Sequence, residues 1–172
     1  SDKKRIVYGG YASHLLLINK GQKGVYDLSI ETPDVEFYTP DPIKDLIELC
    51  NVLQKHKLKY VQGRSAGHEE TYSIFVNFEN VGDISYVPPN FYEKMDTITI
   101  NGVRIVHPKY EIINWLRQFT DPLTAGWRWD KQFKRMELLQ TAFPFDKIKG
   151  EIKNKIEHKD VITDILDNFI KP

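Results

Sequence analysis

The apolar positions of the 172-residue chain change period along its length. In "DPIKDLIELCNVLQKHK", Ile43, Leu46, Ile47, Cys50 and Leu53 recur at helical spacing. Asp41 stands as N-cap, Pro42 as first helical residue, and Lys55 and Lys57 at the negative end. "TYSIFVNFE" alternates with period two, which puts Ile74, Val76 and Phe78 on one face. "ENVGD" then reads as a turn and "DISYVP" as the returning strand of a hairpin. "TITINGVRIV" is a second hairpin, turning at Asn101-Gly102. "RIVYGG" is a short strand ending in two glycines, followed by the helix "YASHLLLINKG" with Gly21 as its cap, and "LKYVQG" is another short strand. Beyond Pro108 the pattern turns helical in "YEIINWLRQF" and "WRWDKQFKRMELLQTAF", separated by "TDPLTAG". Thin stripes at Ile148, Ile152 and Ile156, and at Ile162, Ile165, Leu166 and Phe169, predict two tail helices. Strands first and helices afterwards predict an α/β (α+β) domain, a mixed sheet flanked by helices with a helical C-terminal part. A core over residues 1–143 and a C-terminal helical segment over 144–172, opening a second domain, follow from this division.

Composition narrows little. Lys plus Arg equals Asp plus Glu, at 24 each, so net charge names no partner, and any basic patch has to be local. The single cysteine, Cys50, excludes an intramolecular disulfide and lies on an apolar stripe, which makes it core. No run is long enough to span a membrane.

The chemistry gathers elsewhere. In "PDVEFYTPDP", Asp34 and Glu36 stand one residue apart and project from one face of a strand, with Val35 and Phe37 on the other. Two acids so close repel and raise each other's pKa unless a cation compensates; an ordinary solvated sheet face is the competing reading. Upstream, "VYGGYAS" runs from a strand through Gly9-Gly10 into a helix start. There backbone can approach a ligand, and free N–H groups favour an anion such as phosphate. Downstream, Asp83 heads the otherwise apolar strand of "GDISYVP", where a shared metal or a turn-capping role accounts for an acid. The order glycine pair, acid-x-acid, single acid is more specific than any of its parts.

That order resembles the nucleotidyltransferase fold of the polymerase-beta superfamily. "YGGYASHLLL", "PDVEFYTPDPIKDLIELCNVL", "ETYSIFVNFENVGDISYVP" and "FTDPLTAGWRWDKQFKR" resemble the poly(A) polymerase catalytic subunits of large cytoplasmic DNA viruses, over roughly residues 5 to 143. The resemblance implies template-independent transfer of adenylate from ATP to an RNA 3′ end. It implies two Mg²⁺ or Mn²⁺ ions on Asp34, Glu36 and Asp83, with Asp34 and Glu36 touching both and Asp83 the one that activates the hydroxyl. Gly9 and Gly10 would cradle the triphosphate, with the Ser13 hydroxyl beside them and Tyr11 lining the pocket. RNA and ATP are the implied partners, with a second copy or a processivity subunit, in a viral factory or virion in the cytoplasm. Two features depart from the pattern. Between Gly10 and Asp34 lie 23 residues, more than is usual in the superfamily, and an inserted loop "GQKGVYDLSIET" accounts for them. The chain is also short for such an enzyme, as expected of a domain of something longer.

Arg128, Lys131 and Arg135 fall on one helical stripe beside the apolar Trp129, Phe133 and Met136. A solvated basic face is the common reason for such a stripe. By resemblance in "DKQFKR", Lys131 is the leading triphosphate contact, with Arg135 beside it. His14 sits in an apolar helix and reads as packed. His68 with Glu69 and Glu70 lacks a second His or Cys at zinc spacing. Trp115, Trp127 and Trp129 read as helix core before base-stacking platforms. Two other functions share the same motif: a nucleotidyltransferase with a small-molecule acceptor, and an idle domain serving as a subunit interface or RNA-binding scaffold.

Overall fold

The computed structural model describes residues 5–145. The predicted tail helices, and with them the boundary at residue 144, fall almost wholly outside the described residues. A seven-stranded mixed sheet forms the centre, built from β1 (Ile6–Tyr8), β2 (Val35–Thr39), β3 (Gln62–Ser65), β4 (Thr71–Val76), β5 (Glu79–Tyr86), β6 (Thr97–Ile100) and β7 (Val103–Val106), in the order β3-β4-β5-β2-β1-β7-β6. β2 runs antiparallel to β1 and parallel to β5. The helices are α1 (Gly9–Asn19), α2 (Pro42–Lys55), α3 (Pro89–Lys94), α4 (Pro108–Phe119), the short α5 (Pro122–Ala125) and α6 (Trp129–Ala142).

Register decides which face carries chemistry. Tyr8 pairs with Glu36, Glu36 with Asp83, and Asp83 with Ser73, so one row across four strands is polar. The alternate residues are apolar and covered. Val7 and Ile105 pack with Ala12, Leu16 and Leu17 of α1, against Ile112 and Trp115 of α4 and Leu139 of α6. Ile74 and Ile84 pack under Leu46 of α2. Helices thus seal one face of the sheet.

Three readings of the pattern are corrected. The β4–β5 hairpin turns at Asn77-Phe78, two residues with φ of 52° and 71°, not at "ENVGD". Left-handed φ at both central residues is what a two-residue hairpin turn requires. Phe78 is therefore an exposed turn residue, and Asp83 lies inside β5 instead of heading it. On α2, Leu46, Leu49, Cys50 and Leu53 face the core, whereas Ile43 and Ile47 are exposed. Seven apolar residues make a band wider than the sheet can cover. Finally, α1 begins at Gly9 itself, with Tyr8 as N-cap.

Candidate active site

The polar row opens into a cleft of about 540 Å³ between the sheet and α4–α6. Asp34, Glu36 and Asp83 all line it, together with Gly9 and Gly10. Glu36 and Asp83 are direct register partners on parallel strands, and Asp34 stands two residues ahead of Glu36. Asp83 is held from the side: its Oδ1 accepts from Ser73 Oγ at 2.6 Å and from Asn80 Nδ2 at 3.2 Å.

The helix start is already engaged. Gly9 N–H donates to Glu111 Oε1 at 2.6 Å, and Gly10 N–H donates to Glu36 Oε2 at 3.1 Å. Gly9 has φ +76°, and a Cβ there would land on the Glu36 carboxylate. Only glycine fits such a close approach in that conformation. Burial pushes the Glu36 carboxyl up to about 7, and Asp34 and Asp83 add to the rise while the Gly10 N–H and Arg135 oppose it. Burial likewise raises Glu111 to about 7, against the Gly9 N–H.

Cations face these acids. Arg128, Lys131 and Arg135 line the cleft, so the stripe of α6 is not a purely solvated face. Desolvation lowers the Lys131 pKa, Arg135 and Arg128 lower it further, and Asp34 and Glu36 pull it back up. Arg135 donates to the Tyr26 hydroxyl at 2.9 Å. Tyr26 comes from the loop between α1 and β2, which brings a side chain to the cleft and does more than lengthen the chain.

Two residues read as nucleotide contacts stand elsewhere. Ser13 is fully buried, and its Oγ donates back to Gly9 O at 2.9 Å, one turn earlier in α1. Tyr11 packs against the core beneath α1. Both follow from α1 beginning at Gly9, which turns positions 11 and 13 along the helix and away from the cleft. His14 is buried and accepts from Tyr26 N–H through Nδ1 at 3.2 Å, anchoring the loop. Of the three tryptophans, Trp115 is core and Trp129 bonds Gln118 O through Nε1. Trp127 is 75% exposed at the cleft wall.

Glu111 and Tyr26 carry no motif. A signal for Glu111 did exist: it shares the apolar stripe of Ile112 and Trp115, where a carboxylate is costly without a partner. A second depression, lined by Asp41, Ile43, Ile47 and Asn51, lies on α2 away from the acids. Among the described residues no helix is long and apolar enough to cross a membrane.

The donors suit a hard divalent cation, because they are oxygens only and their repulsion is incompletely offset. They are not drawn around one point: among the described residues no three His, Cys, Asp or Glu side chains are grouped to hold an ion. Glu36 is turned instead to the helix start.

The chain is similar to known proteins. The family model described as "Poly(A) polymerase catalytic subunit" matches residues 1–125. A putative poly(A) polymerase catalytic subunit of Acanthamoeba polyphaga mimivirus is 44% identical over 147 residues, 84% of this chain and 25% of the relative. One from African swine fever virus is 30% identical over 163 residues, 91% of this chain and 34% of the relative. The crystal structure of the Megavirus polyadenylate synthase matches 99% of this chain and 34% of that one, with TM-score 0.80 and 39% identity. The chain thus spans a quarter to a third of the length of these relatives, and its fold is that of the nucleotidyltransferase part of the synthase. With Glu36 and Asp83 on one polar row, Asp34 just ahead of β2 and a family match over residues 1–125, the chain belongs to the poly(A) polymerase catalytic subunit family.

Proposed function

We propose that the chain carries the active site that transfers adenylate from ATP to an RNA 3′ end. The observation that supports this most is the pairing of Glu36 with Asp83 across β2 and β5, beside Asp34, in a cleft whose opposite wall is basic. Asp34, Glu36 and Asp83 would hold two Mg²⁺ or Mn²⁺ ions, which when bound supply Lewis acidity at the 3′-hydroxyl and at the pyrophosphate. The chain's own residues do the rest. Lys131 and Arg135 neutralise the triphosphate from α6, and the Lys131 pKa is lowered first by desolvation and then by the neighbouring Arg135 and Arg128. Ser73 and Asn80 fix the Asp83 carboxylate, so its free oxygen keeps a set direction. Gly9 and Gly10 let the start of α1 come against the acids and the triphosphate they serve. Retention of all three acids speaks against an idle scaffold. The relatives' names, catalytic subunits of viral poly(A) polymerases, are in keeping with an RNA acceptor and a further subunit as partner.

The test is incorporation. The 172-residue chain is incubated with labelled oligo(A), each nucleoside triphosphate in turn, and Mn²⁺. ATP-dependent extension that Asp83→Asn abolishes is the expected result. Extension that survives Asp83→Asn overturns the assignment of the acids, and extension with no preference for ATP overturns the adenylate reading.

A further inference from the structure

Among the described residues, three buried side-chain polar atoms lack a hydrogen-bond partner: Arg5 Nε, Glu111 Oε2 and Gln132 Oε1. Arg5 Nε is accounted for by its ion pair with Asp45 Oδ2 at 2.7 Å. The other two belong to residues that line the cleft, a carboxyl oxygen that can also carry the proton of Glu111 and an amide oxygen of Gln132 that can only accept. Buried polar groups are nearly always paired, so an unpaired acceptor in a cleft wall calls for a donor that the described residues do not supply.

Glu111 sits with the acids at the helix start. Gln132 is different. It lies on α6 between Lys131 and Arg135, and Arg128, Lys131, Gln132 and Arg135 make one stripe at spacings of three and four. Gln132 is 7% exposed. Its Nε2 donates to Gln118 Oε1 of α4 at 3.3 Å, and Trp129 Nε1 pins the same stretch to Gln118 O at 3.2 Å. One N–H of the amide is thus given to α4, and the amide oxygen is the atom of Gln132 that is buried with no partner at all.

Phosphate does not meet that need, because an ionised phosphate offers acceptors alone, and the cations of the stripe answer those. The donors of a nucleotide are on its nucleoside part. We propose that Gln132 Oε1 accepts a hydrogen bond from the nucleoside of the bound nucleotide, from its exocyclic amino group or a ribose hydroxyl. Helix α6 then holds phosphates with its cations and reads the base–sugar end with Gln132. The inference rests on the nucleotidyltransferase reading above.

The wild-type chain and Gln132→Met, which is close in shape but has neither amide function, are titrated in Mg²⁺ with four triphosphates. These are ATP, purine riboside triphosphate (ATP without the 6-amino group), 2′-deoxy-ATP and 3′-deoxy-ATP. Gln132→Met should weaken ATP by about tenfold, the worth of one buried hydrogen bond, with a melting temperature equal to or above wild type. The loss should vanish for the analogue that lacks the paired donor. Purine riboside triphosphate identifies the amino group, and a deoxy analogue identifies a hydroxyl. Equal ATP affinity in both proteins, or the same loss with all four ligands, overturns the inference while leaving the nucleotidyltransferase reading standing. A wild-type chain that binds none of the four overturns both. Wild type alone is a further check that needs no variant to fold: it must bind one analogue about tenfold more weakly than ATP, and equal affinity for all four overturns the pairing.

Discussion

Two carboxylates, the partly buried Glu36 and the buried Glu111, hold the first two N–H groups of α1. Their raised pKa values have a definite consequence for stability. A carboxyl that rises from its ordinary 4.5 to about 7 keeps its proton longer in the folded chain than in the unfolded one. Between those pH values the folded state binds more protons, so stability is greatest below 4.5 and falls as pH rises to about 7. Glu36 adds to the rise at Glu111, so the two shifts are not independent, and the combined loss is expected at about 1–3 kcal/mol, less than their sum. Thermal melts in EDTA across this window should show the fall, and Glu111→Gln should flatten it. A rising melting temperature between pH 4.5 and 7 contradicts the burial of these acids. At this scale the sequence revealed Asp34, Glu36 and Asp83, because strand alternation makes acid-x-acid visible. It marked Glu111 only faintly, because an acid in the first turn of a helix also looks like an ordinary response to the helix dipole, even beside an apolar stripe. Its burial depends on which face α4 turns to α1, which is a tertiary fact.

Helix α6 tests whether an element delivers function. If Lys131 meets the triphosphate as proposed, Lys131→Ala removes a charge-assisted hydrogen bond worth about 1.5–3 kcal/mol, so ATP binding should weaken about ten- to a hundredfold. Lys131 is exposed, so stability should move by less than about 0.5 kcal/mol. Isothermal titration against both proteins separates the outcomes, and unchanged affinity returns the stripe to the solvent. The start of α1 offers the matching backbone test. In Gly10→Ala the new Cβ would collide with the Tyr26 hydroxyl and lie 3.0 Å from Arg135 Nη1. The melting temperature should drop modestly, because the Tyr26 loop can shift, while ATP affinity falls with the displaced Arg135. Equal ATP affinity would show that Arg135 is not needed there. Element boundaries were legible where chemistry forces them, as at Asn101-Gly102 with φ of 49° and 80°. The other hairpin was misplaced because Asn77-Phe78 carries no glycine, and only the pairing of Val76 with Glu79 reveals its turn. On α2 periodicity revealed the helix but not which part of a wide apolar band the sheet would cover.

The whole molecule separates the two jobs of the sheet. β2 lies at its centre between β1 and β5, one face packed under α1 and α2 and the other presenting the acids. Alternation along a strand lets the same five residues of β2 do both, with Phe37 in the core and Glu36 in the cleft. Removing an acid should therefore leave the packed face untouched. Asp34→Asn takes one negative charge from a repelling cluster, so the melting temperature in EDTA should equal or exceed wild type. Ligand linkage then supplies the opposite reading of the same residue. A cation that binds only the folded chain stabilises it by RT ln(1 + [L]/Kd), about 2.7 kcal/mol at a hundredfold excess over Kd. Added Mn²⁺ should raise the wild-type melting temperature, most strongly above pH 7 where Glu36 is ionised, and should raise that of Asp34→Asn far less. Melts of both proteins with EDTA and with Mn²⁺ make a four-way comparison. A variant that is more stable without metal and less responsive to it marks Asp34 as a site residue kept at a cost to the fold. A variant that melts lower in EDTA and keeps the full Mn²⁺ response would make Asp34 structural and move any cation to other carboxylates.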